Sequence, residues 1–213
     1  MGRGSSSAGG GAGPFGGGME NGKDTTTRVL SSRPLTEVIG SGGGQYANEI
    51  MNTRDAMERE YGDAVTMMNL SLGKFSDSSV LGAYGDNTLY MAEKNVKNPY
   101  LTESMKQAAA SGFHPKIGDK TGAEAVAAHE IGHRLGEIAA QKAGITEEQL
   151  VARAAVRARI KTENMAGHIS GYARSNYSET IAEASSDVYC NGSKASRASR
   201  AIMREVKSIL KQN

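Results

Sequence analysis

Three residues in the second half of the chain have the types and spacing of a metal-binding helix. His129 and His133 stand four positions apart, and Glu130 directly follows the first histidine. Side chains four residues apart on an α-helix lie one above the other, so both imidazoles can reach one ion. Zinc favours imidazole and carboxylate ligands, and a glutamate at this place can act as general base toward a zinc-activated water. The pattern therefore predicts a zinc-dependent hydrolase of peptide bonds, with zinc as its cofactor.

The apolar residues of the same segment predict how this helix is oriented. They recur with helical spacing and form one stripe, which we interpret as the buried face. The stripe consists of Ala128, Ile131, Leu135 and Ile138. At about 100° per residue, His129 and His133 point away from this stripe, so we expect them to face a cleft. The alternative is a pair of surface histidines on an alanine-rich helix.

A third metal ligand must come from another part of the chain. A metzincin would continue the same motif with a third histidine, but Ala139 stands at that position. The remaining candidates are two histidines and three acidic residues that follow one another at intervals of four. They are His114, His168, Glu179, Glu183 and Asp187. Acidic residues at this spacing are also common on solvated helix faces, so the residue types alone leave the choice open.

A downstream segment, residues 169–184, carries a family resemblance. It resembles the zinc-site segment of the anthrax lethal factor-like metallopeptidases, which pair an HExxH helix with a tyrosine, an asparagine and two glutamates further on. The matching residues are Tyr172, Arg174, Ser175, Asn176, Glu179, Ala182 and Glu183. The resemblance covers about residues 123–190. It implies a gluzincin, a zincin-type metallopeptidase whose third ligand is a glutamate.

The resemblance also implies a role for each site residue. The zinc ligands would be His129, His133 and Glu179. Glu130 would be the general base, and Tyr172 would donate a hydrogen bond to the oxyanion that forms from the peptide carbonyl. Glu183 would lie behind the ligands and orient a histidine. The sequence departs from the family at residues 180–181, where threonine and isoleucine replace bulky aromatic residues.

A thermolysin-type assignment competes with this one. Glu183 followed four residues later by Asp187 resembles the thermolysin pattern, in which the first acid is the metal ligand. Two features favour Glu179 instead. Tyr172 stands seven residues before Glu179, and the separation of 46 residues from His133 suits the lethal factor-like group.

The elements that must position these residues are predicted by turn and capping signals. Thr121 with Glu124 forms a capping box, which starts a helix that ends at Gly144. A second capping box at Thr146 starts the next helix, which we expect to reach Ile160. The remaining expected helices run from Asn176 to just before residues 191–192, and over 194–211.

The first half of the chain predicts a small sheet and two helices. We expect helices over 46–61 and 102–110, and strands over 64–70 and 80–91, the latter broken by a turn at 85–87. The fold class is therefore α+β: a zincin-like arrangement of a small mixed sheet, then the active-site helix, then further C-terminal helices. Residues 88–91 are our candidate for the strand that pairs with an extended substrate at the sheet edge.

Composition predicts the domain organisation and the compartment. Residues 1–44 hold 14 of the 27 glycines, which predicts a disordered Gly/Ser-rich tail before a metallopeptidase domain over 45–213. The net charge of +2 is nearly neutral, and the basic residues after 193 favour a solvated helix face over a nucleic-acid site. The lone Cys190 excludes an internal disulfide. With no signal peptide and no long apolar run, we expect a soluble protein without membrane contact, cytoplasmic or virion-associated.

Two functions follow from these patterns. The first is a zinc-dependent endopeptidase that acts on a peptide or protein substrate. The alternative is a catalytically idle protein that keeps the zincin fold and serves a phage or mobile element as a structural or binding component. Every expected catalytic position is filled, which favours the enzyme.

Overall fold

The computed structural model describes residues 28–41 and 43–212. Its four strands are β1 (Val29–Pro34), β2 (Asn69–Phe75), β3 (Gly82–Gly85) and β4 (Thr88–Ala92). The first helices are α1 (Gly44–Tyr61), α2 (Asp63–Thr66) and α3 (Leu101–Ala110). The later helices are α4 (Gly122–Ala143), α5 (Glu147–Ala158), α6 (Tyr177–Asn191) and α7 (Arg197–Leu210). Short 3-10 turns connect several of these elements. A small mixed sheet followed by helices confirms the predicted α+β class.

The strands form one sheet in the order β1-β2-β4-β3, with β2 and β4 parallel and the other pairs antiparallel. The predicted hairpin is present as β3 and β4. Its turn residues Asp86 and Asn87 have φ angles of 48° and 57°, which is the left-handed conformation that a tight two-residue hairpin requires. Because β4 lies between β2 and β3, it is not an edge strand. The choice of residues 88–91 as the substrate-pairing edge is therefore wrong, and the outer strand on this side is β3.

Two expectations for the first half of the chain need correction. The predicted strand over 64–70 begins instead as the short helix α2, and β2 starts only at Asn69. This single helical turn leaves Val65 fully buried, which shows that tertiary packing overrides the local preference for a strand. The predicted disordered tail, residues 1–44, also extends too far along the chain, because ordered structure begins before residue 44. Leu35 and Val38 are buried and β1 pairs with β2, while residues 1–27 lie outside the described part of the chain.

The capping signals place the later helices close to their predicted positions. The Thr121 hydroxyl accepts a hydrogen bond from the Glu124 amide at 3.2 Å, and the Glu124 carboxylate accepts one from the Thr121 amide at 2.9 Å. Gly144 ends α4 in the left-handed conformation. α5 stops earlier than expected, at Ala158, because Arg159 adopts φ 52°. α7 begins three residues after residue 194, where the Ser196 side chain caps it.

Close packing between α4 and α6 is the main feature that assembles the site. A Cβ atom on Gly132 would lie 2.6 Å from the Ser185 Cβ and 2.8 Å from the Ala182 Cα. Only a glycine at position 132 therefore allows the two helices to approach this closely. The Ser185 hydroxyl donates to the Ala128 carbonyl at 2.7 Å, which adds a polar contact across the same interface.

Substitution of Gly132 by alanine is expected to push α6 away from α4. Overpacking of this kind lowers the free energy of unfolding by about 1–3 kcal/mol, and it should also weaken metal binding. Gly136, one turn later, is the matched control because a Cβ there would meet its neighbours only at 3.1–3.2 Å. Chemical denaturation of both variants measures the effect. A Gly132→Ala variant as stable as Gly136→Ala would contradict this role.

The remaining surfaces give two further facts. Of the helices in the described ranges, none is both long enough and apolar enough to cross a bilayer. On the basic helix α7, Lys207 pairs with Glu60, and Arg200 donates to the backbone carbonyls of Ser193 and Ala195. These two cations are therefore partly used in contacts within the protein.

Candidate metal centre

Three side chains from two helices meet at one buried point. His129 and His133 on α4 are 0% and 5% exposed, and Glu179 on α6 is 1% exposed. One oxygen of Glu179, Oε2, lies 3.1 Å from the Nε2 atom of His129 and 3.6 Å from that of His133. One ligand atom from each residue falls within 4.8 Å of the others. This group could hold a metal ion.

The start of α6 explains why Glu179 is available at this point. Asn176 has an extended backbone and its side-chain oxygen accepts a hydrogen bond from the Glu179 amide at 2.8 Å. This N-cap fixes the first turn of α6, which carries Glu179. The close approach at Gly132 then brings that turn against the histidine face of α4.

The second ring nitrogen of each histidine contacts another residue. The Nδ1 atom of His129 lies 2.9 Å from the Glu183 carboxylate, and that of His133 lies 2.9 Å from the Ser178 hydroxyl. Both oxygens can accept a proton from Nδ1, and in the neutral form of each ring the Nε2 atom then carries the lone pair that a metal needs. This tautomer is inferred from the partners of the ring nitrogens.

Buried polar atoms without a hydrogen-bond partner also indicate that these residues fit a metal ion. The Nε2 atom of His133 and both carboxylate oxygens of Glu130 are buried and have no hydrogen-bond partner within the described chain. Buried polar atoms are normally hydrogen-bonded, so atoms left without a partner in one place need an explanation. A cation, with the water that it carries, would satisfy these atoms.

Glu130 lies on the side of the site that faces the sheet. Its side chain is fully buried, and a Cβ atom on Gly82 of β3 would lie 2.9 Å from the Glu130 Cγ atom. Burial, together with the negative charges of Glu179 and Glu183, raises the pKa of Glu130 to about 8. This carboxylate therefore has the raised pKa that suits a group exchanging protons near neutral pH.

Tyr172 lies in the 3-10 turn Tyr172–Arg174, and Ser175 and Asn176 lie between this turn and the start of α6. Its hydroxyl donates to the Oε1 atom of Glu179 at 3.4 Å. Burial and the neighbouring carboxylates raise the pKa of Tyr172, so the hydroxyl keeps its proton and remains a donor. The structure thus brings Tyr172 to the same carboxylate that contacts the two histidines.

Glu183 lies behind His129 and not at the metal point, the place where the ligand atoms of His129, His133 and Glu179 converge. It accepts hydrogen bonds from three side chains, all of them buried: His114 at 3.2 Å, His129 at 2.9 Å and Ser170 at 2.6 Å. Burial raises the pKa of a carboxyl group, but the hydrogen bonds from His114 and His129 outweigh this and hold the pKa of Glu183 below its usual value. Glu183 is therefore an ionised, fully buried carboxylate.

His114 and Ser170 are the residues that sequence reasoning missed in these positions. His114 was only a candidate ligand, and Ser170 stood in the family-like segment without a role. They lie 69 and 13 residues from Glu183 along the chain. No local pattern connects the first of these pairs, so its contact is visible only in the folded chain.

The expectation that the histidines face a cleft is not met. His129 and His133 do point away from Ile131 and Leu135, but α4 is buried on nearly all sides along the motif. α6 covers the histidine face. An active site on this helix is therefore a closed one in the structure.

Asp187 and His168 stand apart from the metal point. Asp187 accepts hydrogen bonds from the Ser196 amide at 2.9 Å and the Ser199 hydroxyl at 2.6 Å, and so holds the start of α7. This structural role leaves the thermolysin-type pairing without its aspartate. His168 is exposed and lines a surface cavity of about 700 Å³, which none of the three candidate ligands, Glu130 or Tyr172 lines.

Metal binding is expected to release protons. Burial alone lowers the pKa of His129, but its contacts with Glu179 and Glu183 outweigh burial and raise this pKa to about 10. Burial lowers the pKa of His133 to about 4. At pH 7 His129 is thus protonated without metal and must lose about one proton before it can bind. Loss of the Glu130 proton would add a second.

The affinity for metal should therefore rise with pH up to about 10, where His129 no longer holds a competing proton. Calorimetric titration at pH 7 in two buffers of different ionisation enthalpy gives the number of protons released. A value near zero, with affinity independent of pH between 6 and 9, would contradict the charge state that the two carboxylates impose on His129.

Comparisons with family models, with curated proteins and with solved structures gave no match to this chain. Function has to be inferred from the site itself. Two imidazoles and one carboxylate converge there, with an unpaired carboxylate and a phenol beside them. Such a set can bind a divalent cation, move a proton and stabilise a developing negative charge.

Proposed function

We propose that this protein is a zinc-dependent endopeptidase of the gluzincin type, as its resemblance to the anthrax lethal factor-like metallopeptidases implies. The observation that carries the proposal is the convergence of the His129, His133 and Glu179 ligand atoms within 4.8 Å. Two histidines and one glutamate form a known ligand set of catalytic zinc, which leaves one coordination position open. Zinc bound there would lower the pKa of a water molecule and polarise the peptide carbonyl.

Glu130 has the position and the environment of a general base. Its carboxylate has no hydrogen-bond partner among the described residues, so no donor in that part of the chain competes for its lone pairs. Near a divalent cation the carboxylate loses its proton more easily than its pKa of about 8 indicates. Glu130 can therefore accept a proton from the attacking water and pass it to the leaving amine.

Tyr172 supplies the hydrogen bond that the developing oxyanion needs. Its hydroxyl stays protonated and lies 3.4 Å from the Oε1 atom of Glu179, the carboxylate whose other oxygen is the candidate ligand. A donor held in place by the protein stabilises the transition state more than the ground state, because charge develops only as the carbonyl is attacked. The turnover rate should therefore depend on the Tyr172 hydroxyl more than substrate binding does.

The outer strand β3 is the element that we propose for substrate pairing. It has one neighbour among the described strands, β4, and Gly82 at its start lies directly against Glu130. Arg134 on α4 fixes the hairpin, because its guanidinium donates to the Tyr84 hydroxyl at 2.9 Å and to the Asn87 side chain. An extended peptide added to this edge would pass beside Glu130. All four β3 residues are buried, so a substrate reaches them only after covering segments move.

The burial of β3 and of the candidate ligands supports the alternative of a catalytically idle protein with a structural metal site. Structural zinc sites, however, have four protein ligands and no open position. Only three candidate ligands meet in the described part of the chain, since the third nearby imidazole, that of His114, contacts Glu183. The ligand count therefore favours catalysis.

Zinc content and peptide cleavage together test the proposal. We expect one zinc per chain after reconstitution, and cleavage of a proteome-derived peptide mixture that stops on chelation and returns with zinc. His133→Ala is the matched control and should lack both properties. Absence of zinc after reconstitution would refute the site. One bound zinc with no cleavage of any peptide would instead support the idle alternative.

A further inference from the structure

The segment between α3 and α4 reaches the metal site through one side chain. His114 follows α3 in the chain, and its imidazole is 0% exposed. Its Nδ1 atom lies 3.2 Å from each oxygen of Glu183. The same carboxylate accepts a hydrogen bond from the Nδ1 atom of His129 on its other side. His114 is therefore connected to a candidate metal ligand through a single shared carboxylate.

The backbone of the same segment holds the turn that carries Tyr172. The Gly112 carbonyl accepts a hydrogen bond from the Gly171 amide at 2.8 Å, and the Phe113 carbonyl accepts one from the Tyr172 amide at 2.9 Å. The rings of His114 and Tyr172 also lie in contact, with centroids 5.4 Å apart. Residues 112–114 thus contact both Glu183, behind the candidate ligand His129, and the turn that carries Tyr172.

A buried carboxylate such as Glu183 is stable as an anion only when donors surround it. His129, His114 and Ser170 are those donors. The Glu183 carboxylate holds the Nδ1 side of the His129 ring at 2.9 Å, which directs the Nε2 atom toward Glu179 and the proposed metal. Loss of the donor from His114 would weaken that control without touching any candidate ligand.

We propose that residues 112–114 form a positioning element. It links the metal-binding part of the site, through Glu183 and His129, to the turn that carries Tyr172. Through its side chain, His114 fixes Glu183 and thereby orients His129 toward the metal. Through their carbonyl groups, Gly112 and Phe113 place the Tyr172 hydroxyl. The proposal rests on the proposed function because it concerns the same site, but its first test needs only metal binding and no peptidase activity.

Two substitutions of His114 separate its hydrogen bond from its packing. His114→Phe keeps an aromatic ring beside Phe113 and Tyr172 but removes the donor to Glu183. Loss of a partner behind a metal ligand typically weakens metal affinity by about 10- to 100-fold. We expect a loss within this range, together with a changed visible absorption of the cobalt(II)-loaded protein. His114→Asn, whose amide nitrogen takes the place of Nδ1, should restore most of the affinity and the original spectrum.

Competition with a chromophoric chelator measures zinc affinity in the folded variants. A folded His114→Phe variant with the zinc affinity and cobalt spectrum of the unmutated protein would overturn the proposal. If this variant does not fold, His114→Asn is compared with His114→Gln, which is equally polar but carries its amide one methylene further out. Equal zinc affinity in these two variants would also overturn it. If the unmutated protein binds no zinc, the proposed function fails first.

The backbone half of the proposal is tested at Gly112. This residue has φ +77°, and a Cβ atom at this position would meet no atom of the described residues within 4 Å, so alanine there introduces backbone strain without a steric clash. Gly144 is the matched control, with φ +62° and equally open space at the end of α4. A small displacement of a catalytic group can lower kcat by about 10², and we expect a loss of this order in Gly112→Ala with zinc affinity retained. Equal kcat in the two alanine variants would refute the role of this loop in placing Tyr172.

Discussion

Replacement of Glu130 by glutamine is expected to abolish peptide cleavage while the protein keeps its full metal content. Glutamine has nearly the same shape but cannot accept a proton, and general base catalysis contributes a factor of about 10² to 10⁴ in rate. Because Glu130 is not one of the three ligands that converge at the metal point, its loss should not release the ion. Zinc analysis and turnover of one cleavable peptide, measured on the same preparation, give both quantities.

Glu137 is the matched control for this experiment. It lies on the same helix, seven residues after Glu130, but is exposed to solvent. Glu137→Gln should leave turnover and zinc content unchanged. If Glu130→Gln retained full activity, the observed cleavage would come from another mechanism or a contaminating enzyme, and the assignment of Glu130 would have to be abandoned.

Removal of the Glu179 side chain is expected to have the second large effect, the near-complete loss of bound zinc. Glu179 offers the oxygen that lies 3.1 Å and 3.6 Å from the two histidine Nε2 atoms. Of the two candidate histidine ligands, Glu183 contacts only His129, and it does so at the opposite ring nitrogen, Nδ1. Removal of the Glu183 side chain should therefore weaken zinc affinity by about 10- to 100-fold and leave measurable binding. Zinc affinities of Glu179→Ala and Glu183→Ala test this order.

Asp187→Ala completes the comparison because Asp187 is an acid on the same helix that stabilises α7 instead. It should lower the free energy of unfolding and leave zinc affinity unchanged. The reverse order for the two glutamates, with zinc affinity also reduced in Asp187→Ala, would support the thermolysin-like arrangement. The proposed enzyme class would survive that result, whereas the assignment of Glu179 would not.

The parts of the site that depend on neighbours within one turn could be predicted from the sequence. His129 and His133 share a helix face because four residues make about one helical turn. The capping boxes at Thr121 and Thr146 are likewise local, since each joins residues three positions apart. The hairpin turn at residues 86–87 follows the same rule. In these cases, the interacting groups are close in the chain whatever the rest of the fold does.

The strands show where local preference stops being sufficient. Val65 and Thr66 are strand-forming residue types, yet they lie in the helical turn α2, where Val65 is fully buried. Strand order is also non-local: β4 pairs in parallel with β2, and so moves from the edge to the interior of the sheet. For this reason the pairing edge predicted from residues 88–91 was placed one strand too far inward.

The division of roles between the two glutamates was decided only by the tertiary structure. Glu179 and Glu183 lie one turn apart on the same face of α6, so helical phase cannot distinguish them. Their roles depend on how α6 slides and rotates against α4, and this is set by the close contact at Gly132. His114 joins Glu183 across 69 residues of sequence by the same kind of packing. The sequence by itself determined which residues each helix presents; long-range packing determined which atoms meet, because those distances are fixed by contacts between elements that no local spacing encodes.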